Sequence, residues 1–164
     1  MSNDPVISKD IITPVISPEL EKVPEIFTRH IGTWKGEFIK TDKRGYFSGS
    51  FFATITILIE GSQYRQVNNY EYSDGSHLQL NFEGYFEDRI LKLFSSNYSN
   101  FSGIALDVGQ DTIYFRMTKA QDNALIIFIE TVTLLDENHR VRSAQALKDG
   151  IFDGISFIEE IRFS

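Results

Sequence analysis

The chain has 164 residues, 41% of them hydrophobic and 24% charged, with 14 Phe and 7 Tyr against a single Trp. Its formal net charge of -7 argues against a nucleic-acid partner, which needs a basic face, and against an anionic membrane surface. The absence of cysteine removes a disulfide framework, a thiolate metal site and a Cys nucleophile.

The opening run MSNDPVISKD has neither a basic leader region nor a long apolar stretch, so no signal peptide is expected. No segment reaches the roughly 18 apolar residues of a membrane span. A cytoplasmic protein without membrane insertion is the expectation. All four prolines, Pro5, Pro14, Pro18 and Pro24, fall in the first 24 residues. Because proline cannot donate to a strand ladder, the chain divides there. Residues 1–17 read as an irregular, flexible arm, and 18–164 as one domain. Ser17, Pro18, Glu19 and Glu21 form a helix-start pattern, with a capping hydroxyl, Pro in the first turn and acids behind it. Leu20, Val23, Ile26, Phe27 and Ile31 recur at helical spacing; Pro24 interrupts or kinks the run and Gly32 ends it.

Beyond Gly32 the period becomes two. The predicted strands are Thr33–Lys40, Gly49–Ile59, Gln63–Tyr72, His77–Phe86, Arg89–Ser95, Gly103–Val108, Thr112–Lys119, Ala124–Leu135, Arg140–Lys148 and Ile151–Phe163. Short separators holding Gly, Asn or Asp part them, as tight turns require. No helical stretch of crossover length intervenes, which excludes a βαβ fold. So many uncovered strands must manage their edges, and closure does that. The prediction is an all-β protein: an antiparallel up-and-down barrel of eight to ten strands with a short N-terminal helix. Such a barrel is wide enough for one small ligand.

Gly32-Thr33-Trp34, at the junction of helix and first strand, resembles the G-x-W signature of the calycins, the superfamily of lipocalins and fatty-acid-binding proteins. The resemblance implies a lipocalin-like barrel with the Trp closing one end. The segment His30-Ile31-Gly32-Thr33-Trp34-Lys35-Gly36 is similar to the "H-x-G-T-W-x-G" phrase of an uncharacterised calycin-like family best represented in cyanobacteria. Asn68-Asn69-Tyr70-Glu71-Tyr72-Ser73-Asp74-Gly75 looks like its "N-x-Y-x-Y-x-D-G" phrase with one residue shifted. The resemblance covers about residues 25–160 and implies little about function, since one fold hosts many roles. Without the disulfide usual in secreted lipocalins, a fatty-acid-binding-like or nitrobindin-like barrel is the nearer comparison. Nitrobindin-like proteins bind haem through a His, but His30, His77 and His139 fall at or near element ends, and no cofactor is assigned.

Two carboxylates interrupt apolar strand faces. Glu159 shares its face with Ile155, Phe157, Ile161 and Phe163, and Glu130 interrupts Ile126, Phe128, Val132 and Leu134. A carboxylate on an apolar face is costly unless paired or protonated, so each is either a rim residue or an acid/base group with a raised pKa. These two are the candidate catalytic residues. In fatty-acid-binding-like barrels an interior Arg with a Tyr clamps a ligand carboxylate, and a charge-assisted bidentate bond suits Arg to that task. Arg65, Arg116 and Arg142 are the candidates here, weighed against a plain solvated outer face. The expected ligand-binding set adds Tyr70 and Tyr114 as phenol donors, and Trp34, Phe38, Phe128 and Phe157 as apolar walls. No phosphate-cradling Gly loop, G-x-S-x-G elbow or H-x-x-x-H metal pair is present.

Two functions stay open from the residues. One is a binding module for a small apolar molecule such as a lipid, pigment or secondary metabolite. The other is a cofactor-free cyclase or isomerase of natural-product biosynthesis that folds its substrate into a reactive geometry. Two-sided apolar strands such as Ala124–Leu135 also raise the expectation of a homodimer face.

Overall fold

The computed structural model describes residues 22–164. The expected arm at 1–17 and the helix start at Ser17 lie outside the described residues. One short helix, α1 (Glu25–Arg29), precedes ten strands. These are β1 (Gly32–Thr41), β2 (Phe47–Glu60), β3 (Gln63–Tyr72), β4 (His77–Glu87), β5 (Ile90–Ser95), β6 (Phe101–Asp107), β7 (Thr112–Gln121), β8 (Ala124–Asp136), β9 (His139–Lys148) and β10 (Ile151–Arg162). Every strand pairs antiparallel with its sequence neighbours, and β10 returns to pair with β1, closing the barrel. The all-β, up-and-down barrel read from the alternation is the observed fold.

Turn chemistry sets the meander. The two-residue connections Asp88-Arg89, Asp122-Asn123 and Asp149-Gly150 all hold positive φ at both positions, the backbone that matches strand twist in a tight hairpin. The helix is shorter than the spacing of apolar residues suggested. Pro24 stands immediately before its first turn, where the missing N–H costs nothing, and the helix runs only five residues.

Those five residues close one end of the barrel. Ile26 and Phe27 are buried, and Phe27 meets Phe86 edge-on with ring centres 4.9 Å apart. Full burial of one such ring stabilises the fold by about 2 kcal/mol. Trp34 lies fully buried beside them and donates its indole N–H to the His30 carbonyl at 2.9 Å. The guanidiniums of Arg140 and Arg162 each lie 4.2 Å from the Trp34 ring centre. Arg162 also donates to the carbonyls of Arg29, Ile31 and Glu137, tying helix and last strand together. The sole Trp therefore plugs this end, as the G-x-W resemblance implied. The opposite end bears the β1–β2, β3–β4, β5–β6, β7–β8 and β9–β10 connections, and there Tyr98, between β5 and β6, packs on Phe82 and Phe101.

Candidate ligand-binding site

A cavity of about 440 Å³ occupies the half of the barrel away from the helix. Phe38 and Phe51 from β1 and β2, Leu93 from β5, Phe115 and Met117 from β7 and Phe128 from β8 build its apolar wall. Phe38 and Phe51 stack with centres 5.0 Å apart, and Tyr70 meets both edge-on. The size and lining suit a small organic molecule. At the mouth stand Lys40, Leu78 and Asp153. Gly154 lets β10 pass close to β1 there: its φ is +124°, and a Cβ would collide with the Thr41 carbonyl. A register shift between Phe152 and Gly154 accompanies that passage.

Polar groups gather on two walls. On β3, alternation turns Tyr64, Gln66, Asn68 and Tyr70 inward. Tyr64 donates to the Gln66 amide oxygen at 2.5 Å, Gln66 to Asn68 at 2.8 Å, and Asn68 to the Tyr70 phenol oxygen at 2.7 Å. Burial pushes the Tyr70 phenol up to about 12, and it raises Tyr64 too, so both stay protonated.

The other wall is ionic. Pairing of β9 with β10 places Arg140 opposite Glu160, and pairing of β8 with β9 places Arg142 opposite Val132, one inward step from Glu130. Arg140 grips Glu160 with two bonds of 2.7 and 2.9 Å. Arg142 lies 3.5 Å from Glu160 and donates to Glu130 at 3.1 Å. Side-chain exposure is 0% for Arg140 and Glu160, 6% for Arg142 and 12% for Glu130. Burial would raise Glu160, but Arg142 and Arg140 together outweigh it and hold its carboxyl below the usual range. Glu130 has less compensation: burial raises its carboxyl in spite of Arg142, and Glu160 adds to the rise. His30 closes the chain by accepting from Arg140 at 3.0 Å. An acceptor Nδ1 carries no proton, so the neutral ring is protonated on Nε2, which makes no hydrogen bond among the described residues. Burial, reinforced by the nearby arginines, pushes His30 down to about 2.

The residues singled out from the sequence divide by face. Phe38, Tyr70, Phe128 and Glu130 line the cavity, and Arg142 lies at its floor. Trp34 is inside the barrel but beyond the cavity lining, under the helix. Arg65 and Arg116 are exposed on the outer face, and Tyr114 lies on that face half-buried. Glu159 and Phe157 also stand outside, and this corrects the facing assumed for β10. Glu159 is 68% exposed and meets His139 at 2.6 Å, while the neighbouring Glu160 is the inward carboxylate. One step along a strand reverses the face, and the apolar row Phe157, Ile161, Phe163 covers the barrel's exterior. None of the three histidines lines the cavity. Among the described residues no three His, Cys, Asp or Glu side chains are grouped to hold a metal.

Glu160, Arg140, Gln66 and Asn68 escaped the sequence reading. The period-two placement of Tyr64, Gln66, Asn68 and Tyr70 put them on one face of β3 without saying which face points inward. The ion network becomes visible only once the β9–β10 register is known.

No family model matches the chain, and no curated protein matches it. Solved structures do. A protein of unknown function of the DUF3598 family from Nostoc punctiforme matches at 13% identity with a TM-score of 0.61 over 83% of this chain. That match takes in 48% of the Nostoc chain, so the present chain spans about half its length. The S-type phycobiliprotein lyase CPES from Guillardia theta matches at 15% identity and a TM-score of 0.62, over 91% of this chain and 99% of the lyase. Rv2717c from M. tuberculosis matches at 12% identity and a TM-score of 0.64, over 90% of this chain and 99% of its own. What the chain shares with these proteins is the lipocalin-like barrel fold.

Proposed function

We propose that the barrel binds a small hydrophobic molecule, a lipid, pigment or secondary metabolite, within its open half. The observation that carries this reading is the cavity of about 440 Å³, walled by Phe and Leu side chains and floored by a few fixed polar groups. Apolar surface with a small convergent polar set is the usual make-up of a ligand pocket. The barrel likeness to a phycobiliprotein lyase fits a small-molecule site, and the Nostoc match fits the cyanobacterial calycin-like family suggested by residues 30–36 and 68–75. Among the described residues no helix is long and apolar enough to cross a membrane. The test is direct. Organic extracts of the purified chain, read by mass spectrometry, should yield a stoichiometric small molecule, and the neutral dye Nile red should bind one to one. Ala146→Phe places a ring in the cavity lining and should abolish both while the chain stays folded. Nile red binding that survives this substitution sinks the reading.

Glu130 favours a second reading, a cofactor-free cyclase or isomerase. A carboxyl with a raised pKa inside an apolar cavity can exchange a proton with a bound substrate, and Tyr70 stands ready as a donor. Shape would supply the rest by holding the substrate in a near-attack geometry. Glu130→Gln should then stop turnover without preventing binding; unchanged turnover removes Glu130 from any catalytic role.

A further inference from the structure

The charges that line the cavity balance, two of each sign. Arg140 and Arg142 face Glu130 and Glu160, and each guanidinium is already engaged by carboxylate oxygen. Lys40 and Asp153, one of each sign and not paired with each other, stand at the mouth. Arg142 is the one cation at the cavity floor, and an incoming carboxylate would have to share it with two carboxylates already in place. Like charges crowded in a poorly solvated site repel strongly. A carboxylate ligand is therefore admitted only after Glu130 gives up its hold on Arg142.

Two groups stand out for the bonding capacity they turn to the cavity. Glu130 bonds Arg142 through Oε1 alone, and its second oxygen makes no hydrogen bond among the described residues. That oxygen is not sealed in the protein but opens on the cavity, where a ligand N–H or O–H can take the place of water. The other group is Tyr70. Each member of the β3 row donates to the next, so the Tyr70 oxygen accepts from Asn68 and its own hydrogen is left over. A row of donors aligned in one sense polarises its last member, which strengthens the bond that Tyr70 can offer. Both residues line the same cavity.

We propose that the site selects an uncharged molecule that carries a hydrogen-bond donor beside an acceptor, as an amide or lactam does, and discriminates against carboxylates. The donor meets Glu130 and the acceptor meets the Tyr70 hydroxyl. This inference rests on the reading of the cavity as a ligand site.

Displacement of Nile red from the full chain by dodecanamide and by dodecanoate tests it at neutral pH, below the micelle range. The amide should displace the dye at a concentration at least about tenfold lower than dodecanoate, because only the amide bonds both Glu130 and Tyr70 without bringing in a new charge. Glu130→Gln frees Arg142, so dodecanoate should gain about tenfold and the preference should collapse. Tyr70→Phe should weaken the amide several-fold and leave dodecanoate unchanged. Dodecanoate binding the wild type as tightly as the amide overturns the proposal. So does an amide preference that survives both substitutions. If Nile red itself fails to bind the wild type, the ligand-site reading falls, and the selectivity falls with it.

Discussion

Replacing Glu160 by Gln removes one carboxylate from a cluster that holds two guanidiniums. Arg140 is fully buried and donates both of its short carboxylate bonds to Glu160, while Arg142 would be left with Glu130 alone. Breaking a buried pair by removing one partner costs about 3–5 kcal/mol, because the remaining charge stays buried and uncompensated. A barrel of this size has a total stability of about 5–15 kcal/mol, so the loss is a large fraction of it. At about 2–4 °C per kcal/mol, the melting temperature should fall by about 6–20 °C. Glu159→Gln is the matched control: the same chemical change one residue earlier, on the outer surface, should shift stability by less than about 0.5 kcal/mol. Urea unfolding followed by the fluorescence of Trp34, the sole Trp, reads both variants. The pair Arg140→Met with Glu160→Leu should recover much of the loss, since matched apolar replacement removes both buried charges. If Glu160→Gln and Glu159→Gln are equally mild, the inward ion network is wrong.

His30 is neutral in the fold, with its pKa held at about 2 against an ordinary 6.5. Its contribution to stability is whole above about pH 6.5 and is lost below it at about 1.4 kcal/mol per unit, because only the unfolded chain takes up the proton. His30→Asn keeps an acceptor for Arg140, so between pH 6.5 and 5 the wild type should lose about 2 kcal/mol more than the variant in urea titrations. The raised carboxyl of Glu130 acts in the opposite sense: its ionised form lowers stability above the folded pKa, and protonation restores it as pH falls. Glu130→Gln should therefore be at least as stable as the wild type at pH 7, with the gap narrowing toward pH 5; a large loss at pH 7 contradicts that assignment. Trp34→Phe deletes the indole bond to His30 and part of a fully buried side chain, so calorimetry should show a fall of about 2–3 kcal/mol.

The barrel was legible because alternation and turn chemistry are local. Each of the ten strands was visible between Gly, Asn and Asp turns, and the proline-free run from Lys35 announced uninterrupted ladders. The sense of facing was not local. In β10 the row Phe157, Ile161, Phe163 has the pattern of a core face, yet it lies outside, and the inner row is Ser156, Ile158, Glu160 and Arg162. Hydrophobicity misleads there because the inner wall is filled by ions that satisfy one another, in partners 20 and 110 residues apart in sequence. In β3 both faces are polar, so alternation could not say that Gln66 and Asn68 point inward. Glu130 was legible as an anomaly on an apolar row, but its Arg142 partner depends on a register that only barrel closure fixes.

Of the chain's two methionines, Met117 projects into the cavity lining. Selective methyl labelling of methionine therefore places one NMR probe on the wall where a ligand would sit. Titration with Nile red should move the Met117 methyl resonance and saturate at one equivalent, and Ala146→Phe should abolish the shift. Saturable dye binding with the Met117 resonance unmoved would put the ligand on the barrel's exterior and contradict a binding site within it.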